Sequence, residues 1–353
     1  MINFTGRLSI NCMKNRDLQL DIAKGIAIYS VVLGHLDTGL KGQIIYLFHM
    51  PFFFIISGYF HQLDHQEGRY LRKKAVSLLI PYFVYLLILK LPSMMPFYNQ
   101  FIQQPSVEVI ISFAKHIAKL ILGGDTLTGT VGIFWFVTCL FITQQGFNFI
   151  ALRVKSTQKI IAIATALYGL SCLDQISPIH LGLPWAANVT CCAFLFYAVG
   201  SIYGDYIFKA ENRLLILSAV AISVFSILLI ASGVELSFNM KQAYYGLFIL
   251  SPLAALSLTK LLSFSAGLLS TNTLIASSLA LVGKASITIM FFHRVVEMYL
   301  PRSFPGGSIA AAIFSTAICC ILHQMLTATP VSRALFLGSR RDFGWLTNWR
   351  TSA

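Results

Sequence analysis

The sequence predicts an all-α integral membrane protein of about ten transmembrane helices, with both termini cytoplasmic and an outer interfacial helix near 107–122. Three observations predict it. The chain is 56% hydrophobic and only 11% charged, with a mean hydropathy of +0.73, whereas a soluble domain carries roughly 25% charged residues. Apolar runs long enough for the ~20 residues that cross a bilayer recur from end to end between short polar breaks. Basic residues collect in alternate breaks, as the positive-inside rule requires. One membrane domain over 1–353 accounts for the chain and leaves no stretch for a separate soluble domain.

The first predicted span, 18–38, follows the basic residues Arg7, Lys14 and Arg16. Charge interrupts its apolar run and no small-residue cleavage site follows, so it is read as a retained helix. Spans 43–62 and 75–92 come next, separated by the basic cluster Arg69, Arg72, Lys73 and Lys74. Between 93 and 130, Ile110 to Leu122 is apolar on one face and carries Lys115, His116 and Lys119 on the other. That pattern suits an interfacial helix, and reading it as a span would invert every later loop. The remaining spans are 131–152, 159–174, 189–206, 213–232, 243–262, 274–299 and 307–326.

With the amino terminus inside, only Lys41, Lys90, Lys115, Lys119, Lys241, Arg294 and Arg302 fall on the outer side. The net charge of +13 is therefore distributed between spans as topology determinants facing anionic lipid, and no nucleic-acid partner is expected. The seven cysteines include the pairs Cys191-Cys192 and Cys319-Cys320 inside apolar runs. They have neither zinc-ligand spacing nor a disulfide framework, which leaves packing as their role and no metal expected. No phosphate loop or nucleophile elbow is present.

Lys24 and His35 are the first candidates for chemistry. Eleven residues separate them, just over three turns, so they share one helix face about 16 Å apart along the axis. Asp21 lies one turn before Lys24. A charge inside a span is costly unless it faces protein or a watery cavity, so this face should point inward. A structural Asp21–Lys24 pair with a hydrogen-bonded interior His35 is the competing reading. "YLFHMPFFFIISGYF" then offers His49, Ser57 and Tyr59, with packing as the alternative for the last two. In the basic cluster, Arg72 and Lys73 are candidates for the phosphates of a large cytosolic anion. "GIFWFVTCLF" places Trp135 at the outer start of a span, where an aromatic-belt role is the default. "LVGKASITIMFFHRVVE" contributes His293, nine residues after Lys284; on a straight helix the two face opposite sides. His293 could instead sit at the interface near Arg294 and Glu297.

Taken in order, these blocks resemble the membrane-bound acyltransferase 3 family. They are the Lys24-to-His35 spacing, "FHMPFFFIISGYF", "RYLRKKAVSLLIPYF", "FWFV" and "LVGKASITIMFFH". Within it the chain is similar to the stand-alone sugar O-acetyltransferases, including the fucose 4-O-acetylase type. The resemblance is dense over 16–85 and returns at 130–145 and 280–295. It departs in having Lys24 where many polysaccharide-acetylating members have arginine, and in lacking an added periplasmic esterase-like domain.

The resemblance implies transfer of an acetyl or similar short acyl group from acetyl-CoA to a hydroxyl of a cell-envelope glycan or lipid-linked sugar, in a bacterial inner membrane. It implies His35 as proton acceptor or transient acyl carrier. Lys24 would neutralise CoA phosphate or stabilise charge developing at the thioester, Arg72 with Lys73 would be the further cations for the CoA phosphates, and His49, Ser57, Tyr59, Trp135 and His293 would shape the substrate passage. A transporter or flippase for a glycan or solute, with the buried charges as a proton relay, is the alternative. A structural subunit of an export complex is a third reading.

Overall fold

The computed structural model describes residues 10–37, 39–103, 105–178, 182–301 and 303–346, with side chains from residue 18 onward. The topology residues Arg7, Arg302 and Arg350, and the side chains of Lys14 and Arg16, lie outside the described residues. Among the described residues the regular structure is helical, with one isolated bridge, Asn239 to Tyr244, in a loop.

Helix α1 (Ile10–Leu36) leads into α2 (Leu40–Tyr59), and a short α3 (Glu67–Lys74) runs through a π-helical turn at 75–79 into α4 (Ile80–Gln103). The π turn lies just before Pro81, which has no N–H for the Ser77 carbonyl four residues back. Gly338 at φ +64° comes so close to that carbonyl that a Cβ there would lie 2.4 Å from its oxygen. Next come α5 (Val107–Leu122), α6 (Trp135–Val154), α7 (Thr157–Ile176), α8 (Thr190–Phe208) and α9 (Arg213–Ala231). The chain closes with α10 (Leu250–Leu269), α11 (Thr273–Lys284), α12 (Ser286–Met298), α13 (Gly307–Thr327), α14 (Pro330–Leu337) and α15 (Arg340–Leu346).

Eight of these helices, with α3 and α4 counted as one, are long and apolar enough to cross a membrane; the bent pair α11–α12 makes a ninth. The sequence expectation of about ten spans divides into these nine and α1, whose Asp21 and Lys24 lower its apolar content although it packs among α2, α10, α11 and α13. The structure corrects three boundaries. The third span runs on as helix to Gln103 through Pro92 and Pro96. The predicted span 243–262 becomes α10 at 250–269, because 233–249 folds as an irregular loop. The predicted straight helix 274–299 breaks at Ala285 and bends by 79°. The amphipathic segment forms the separate helix α5, capped by Ser106 Oγ accepting the Val109 N–H and ended by Gly123 at φ +59°.

Two glycine crossings draw the bundle tight. A Cβ on Gly58 of α2 would lie 2.0 Å from the Tyr197 carbonyl oxygen of α8, and one on Gly200 of α8 would lie 1.9 Å from the Ile55 oxygen of α2. Gly25 and Gly283 do the same for α1 and α11, against the Leu279 and Asp21 oxygens. In lipid, where no hydrophobic force drives helices together, such close backbone approach is a main source of association. Lys260 of α10 is buried and donates to the Ile207 and Ala210 carbonyls at the end of α8, so it caps that helix from within its neighbour.

Candidate active site

A cavity of about 500 Å³ runs through the bundle between α1, α2, α6 and α12. Lys24, Ser57 and Leu78 line one end; Tyr46, Asn239, Lys241 and Arg294 line the other. Of the sequence candidates, it brings together Lys24, His35, His49, Ser57, Trp135 and His293. The inward face expected of α1 is thus realised, and its charge is paired: Lys24 Nζ lies 2.5 Å from Asp21 Oδ1.

Around His35 the aromatic groups are ordered. The Tyr46 hydroxyl lies 3.3 Å from His35 Nδ1. The His293 ring stacks on His35, centroids 5.4 Å apart and planes 30° apart. The His49 ring meets the edge of Tyr46 at 4.9 Å. His49 Nδ1 lies 2.8 Å from the Ile45 carbonyl oxygen and His293 Nδ1 lies 2.7 Å from that of Ile289, each one turn back on its own helix. A carbonyl only accepts, so both Nδ1 atoms carry the proton and both Nε2 atoms of the neutral rings are acceptors. His293 is fully buried and its Nε2 has no partner among the described residues. The interfacial alternative for His293 is therefore corrected. The bend at Ala285 also removes the straight-helix geometry that set His293 against Lys284. Beside it, Arg294 pairs with Glu297 at 2.6 Å.

Trp135 is 6% exposed and lines the cavity, so burial replaces its default belt position. Tyr59 does not join the site. Its ring packs against Phe208, 5.0 Å between centroids, and fills the space over Gly204. Arg72 is exposed away from the cavity. Lys73 is drawn to Asp64 at 3.4 Å, alongside the Arg69 fork at 3.2 and 2.9 Å. Asn148 brackets Asp64 by accepting its N–H and donating to its carbonyl, each at 3.1 Å. The Arg69 fork holds the Asp64 carboxyl down at about 2, below its ordinary 3.8, so the cluster keeps a permanent internal anion.

Two lining elements have no counterpart among the sequence candidates. Tyr46 is the partner of His35. The loop after α9 inserts Phe238, Asn239, Met240 and Lys241 into the cavity wall. Lys241 Nζ donates to the Leu127 carbonyl at 2.7 Å and sits where a Cβ on Gly132 would lie 3.1 Å away. Burial pushes its pKa down, with the nearby Asp125 opposing. The signal for this loop was the polar interruption "NMKQ" between apolar runs. Among the described residues, no group of three or more His, Cys, Asp or Glu side chains is placed to hold a metal ion.

The comparisons with known proteins agree with the arrangement of the helices and motifs. The family model described as an acyltransferase domain, the acyltransferase 3 family, matches residues 17–324. The chain is 32% identical over 211 residues to nodulation protein NolL of Mesorhizobium japonicum, covering 54% of this chain and 48% of that protein. It is 29% identical over 216 residues to nodulation protein NolL of Sinorhizobium fredii, covering 57% of this chain and 52% of that protein. The chain thus spans about half the length of the curated relatives it matches. No solved structure matches it significantly. With the family match running from within α1 to near the end of α13, the chain belongs to the acyltransferase 3 family of integral membrane proteins.

Proposed function

We propose that this protein is a membrane O-acyltransferase that moves an acetyl or similar short acyl group from acetyl-CoA to a hydroxyl of a cell-envelope glycan or lipid-linked sugar. The observation that carries the reading is the single cavity that Lys24 and His35 share, three turns apart on one helix. Its volume falls within the ~300–1,000 Å³ of small-molecule sites.

The chemistry follows from the donors and acceptors present. When His35 Nδ1–H donates to the Tyr46 oxygen, Nε2 keeps its lone pair and serves as general base. The acceptor oxygen attacks the thioester carbonyl carbon, its proton passes to His35 Nε2, and the carbon–sulfur bond breaks. The thiolate of CoA then leaves and takes up a proton. Lys24 meets the anionic donor from the other end of the cavity. Arg72, exposed beside the Asp64 cluster, is the second cation for the CoA phosphates. His49, Ser57, Trp135 and His293 shape the passage.

In this reading both termini and the Arg69–Lys73 cluster face the cytoplasm of a bacterial inner membrane. Helix α5 and the loop after α9 face outward, so acyl groups enter at Lys24 and leave near His35. Vesicles containing the purified protein, supplied with acetyl-labelled acetyl-CoA and envelope glycolipid, test it. Label appearing in the glycan supports the reading, and glycan movement without label would replace it with transport.

A further inference from the structure

The loop after α9 has a second face. From Glu235 to Met240 its residues alternate: Leu236, Phe238 and Met240 are buried, while Glu235, Ser237 and Asn239 turn the other way. That period of two is the signature of extended chain with one apolar and one polar side. The polar side lines a second cavity of about 430 Å³ together with Gln175, Gln242 and Tyr244. Asn239 lines both this groove and the cavity of His35, so the two lie on either side of one residue.

The groove is fixed in shape by bonds that leave its recognition groups usable. Phe238 donates its N–H to the Tyr46 carbonyl at 3.1 Å, so the loop is fastened to the helix that carries the His35 partner. Gln175 spends both ends of its amide on the loop, accepting from the Tyr245 N–H at 2.7 Å and donating to the Gly246 carbonyl at 3.3 Å. Ala243 at φ +53° closes the turn between the bridged residues Asn239 and Tyr244, a left-handed conformation that a non-glycine residue holds only under constraint. Asn239 Nδ2 donates to Gln242 Oε1 at 2.7 Å, which leaves Asn239 Oδ1, the Gln242 amino group and the Ser237 hydroxyl beside the Glu235 carboxylate, which itself accepts from the Tyr244 hydroxyl.

We propose that this groove is a saccharide subsite, which holds an uncharged sugar unit of the acceptor next to the one whose hydroxyl reaches His35. The inference rests on the O-acyltransferase reading above and adds the acceptor's class and position. Planar amides, a hydroxyl and a carboxylate supply the alternating donors and acceptors that sugar hydroxyls require, and Tyr244 adds an aromatic ring. Among the described residues neither lysine nor arginine lines the groove, and Glu235 would repel a phosphate or uronate there. A site built on such groups rejects ligands that leave them unpaired, so it selects for hydroxyl-rich ligands.

Two readouts separate this proposal from the reading it rests on. Labelled oligosaccharides released from the cell envelope by mild acid are passed over detergent-solubilised, immobilised protein. The wild type should retain a neutral fraction, and Ser237→Trp, which fills the groove, should not. Equal retention by both, or retention of acidic fragments alone, overturns the subsite whether or not acyl transfer occurs. In the vesicle assay, Gln242→Ala, a milder change, should raise KM for an oligosaccharide acceptor about fivefold to tenfold with kcat and the KM for acetyl-CoA unchanged. An unchanged acceptor KM in both folded variants also overturns it. Absence of label transfer by the wild type refutes the O-acyltransferase reading and leaves the retention experiment to decide the groove.

Discussion

His35 on α1 and His293 on α12 stack with their ring centroids 5.4 Å apart, although 258 positions separate them in the chain (293 − 35). The bend at Ala285 aims the second half of the helix pair at the cavity. His293 is locked by its bond to Ile289, with an acceptor nitrogen that has no partner among the described residues, beside the proposed base. Replacing it with phenylalanine keeps a ring for the stack and removes that nitrogen. His293→Phe should therefore slow acyl transfer at least about tenfold while the melting temperature in detergent stays close to wild type. Unchanged transfer would reduce His293 to packing.

Among the described residues, Tyr46 is the only side chain bonded to His35, at 3.3 Å. Tyr46→Phe preserves the ring edge against His49 but removes the hydroxyl that holds the His35 ring in place. The expected result in steady-state kinetics is a kcat lowered about tenfold with acceptor KM little changed. A rise in KM alone would make Tyr46 a binding group.

The α2–α8 crossing depends on Gly58 and Gly200. A side chain at 200 must push aside the Ile55 carbonyl, since even its Cβ would lie 1.9 Å from that oxygen. Gly200→Val should cost about 1–3 kcal/mol, read as a lower midpoint of thermal unfolding in detergent.

The Asp64 cluster gives a pH dependence with a definite sign. Its folded pKa of about 2 lies below the ordinary 3.8 because the Arg69 fork favours the anion. The stabilisation is present above the unfolded value and is lost as pH falls through the folded one. Asp64→Asn should therefore be less stable than wild type by on the order of 1–2 kcal/mol from about pH 5 upward, with the gap closing below about pH 4. A gap independent of pH down to about 2 would remove the charge from the explanation.

Much of this architecture is legible in sequence because lipid forces a simple rule on the backbone, with apolar runs of bilayer length separated by polar breaks. The shared face of Lys24 and His35 follows from helix periodicity, and the structure turns it into the cavity. Periodicity carries no sign of the break at Ala285, where Gly283 belongs to the α1–α11 crossing and the chain continues without proline. It misplaced α10 because "AYYGLFIL" is as apolar as a span, while the φ +53° at Ala243 and φ +66° at Gly246 fold those residues back as loop. Tyr59 followed the same limit. A tyrosine after Ser57-Gly58 reads equally as passage or packing until Gly204 and Phe208 are placed against it. Tyr46 and Asn239 gained their places only through contacts between distant segments, which no local pattern records.

The central claim is that His35 takes the acceptor proton from within this cavity. Proteoliposomes carrying wild type or His35→Ala, matched for helicity and melting temperature, are given acetyl-labelled acetyl-CoA and envelope glycolipid, and label in the glycan is followed with time. Loss of transfer by at least about 100-fold in the variant is predicted; transfer at the wild-type rate by folded His35→Ala contradicts the account.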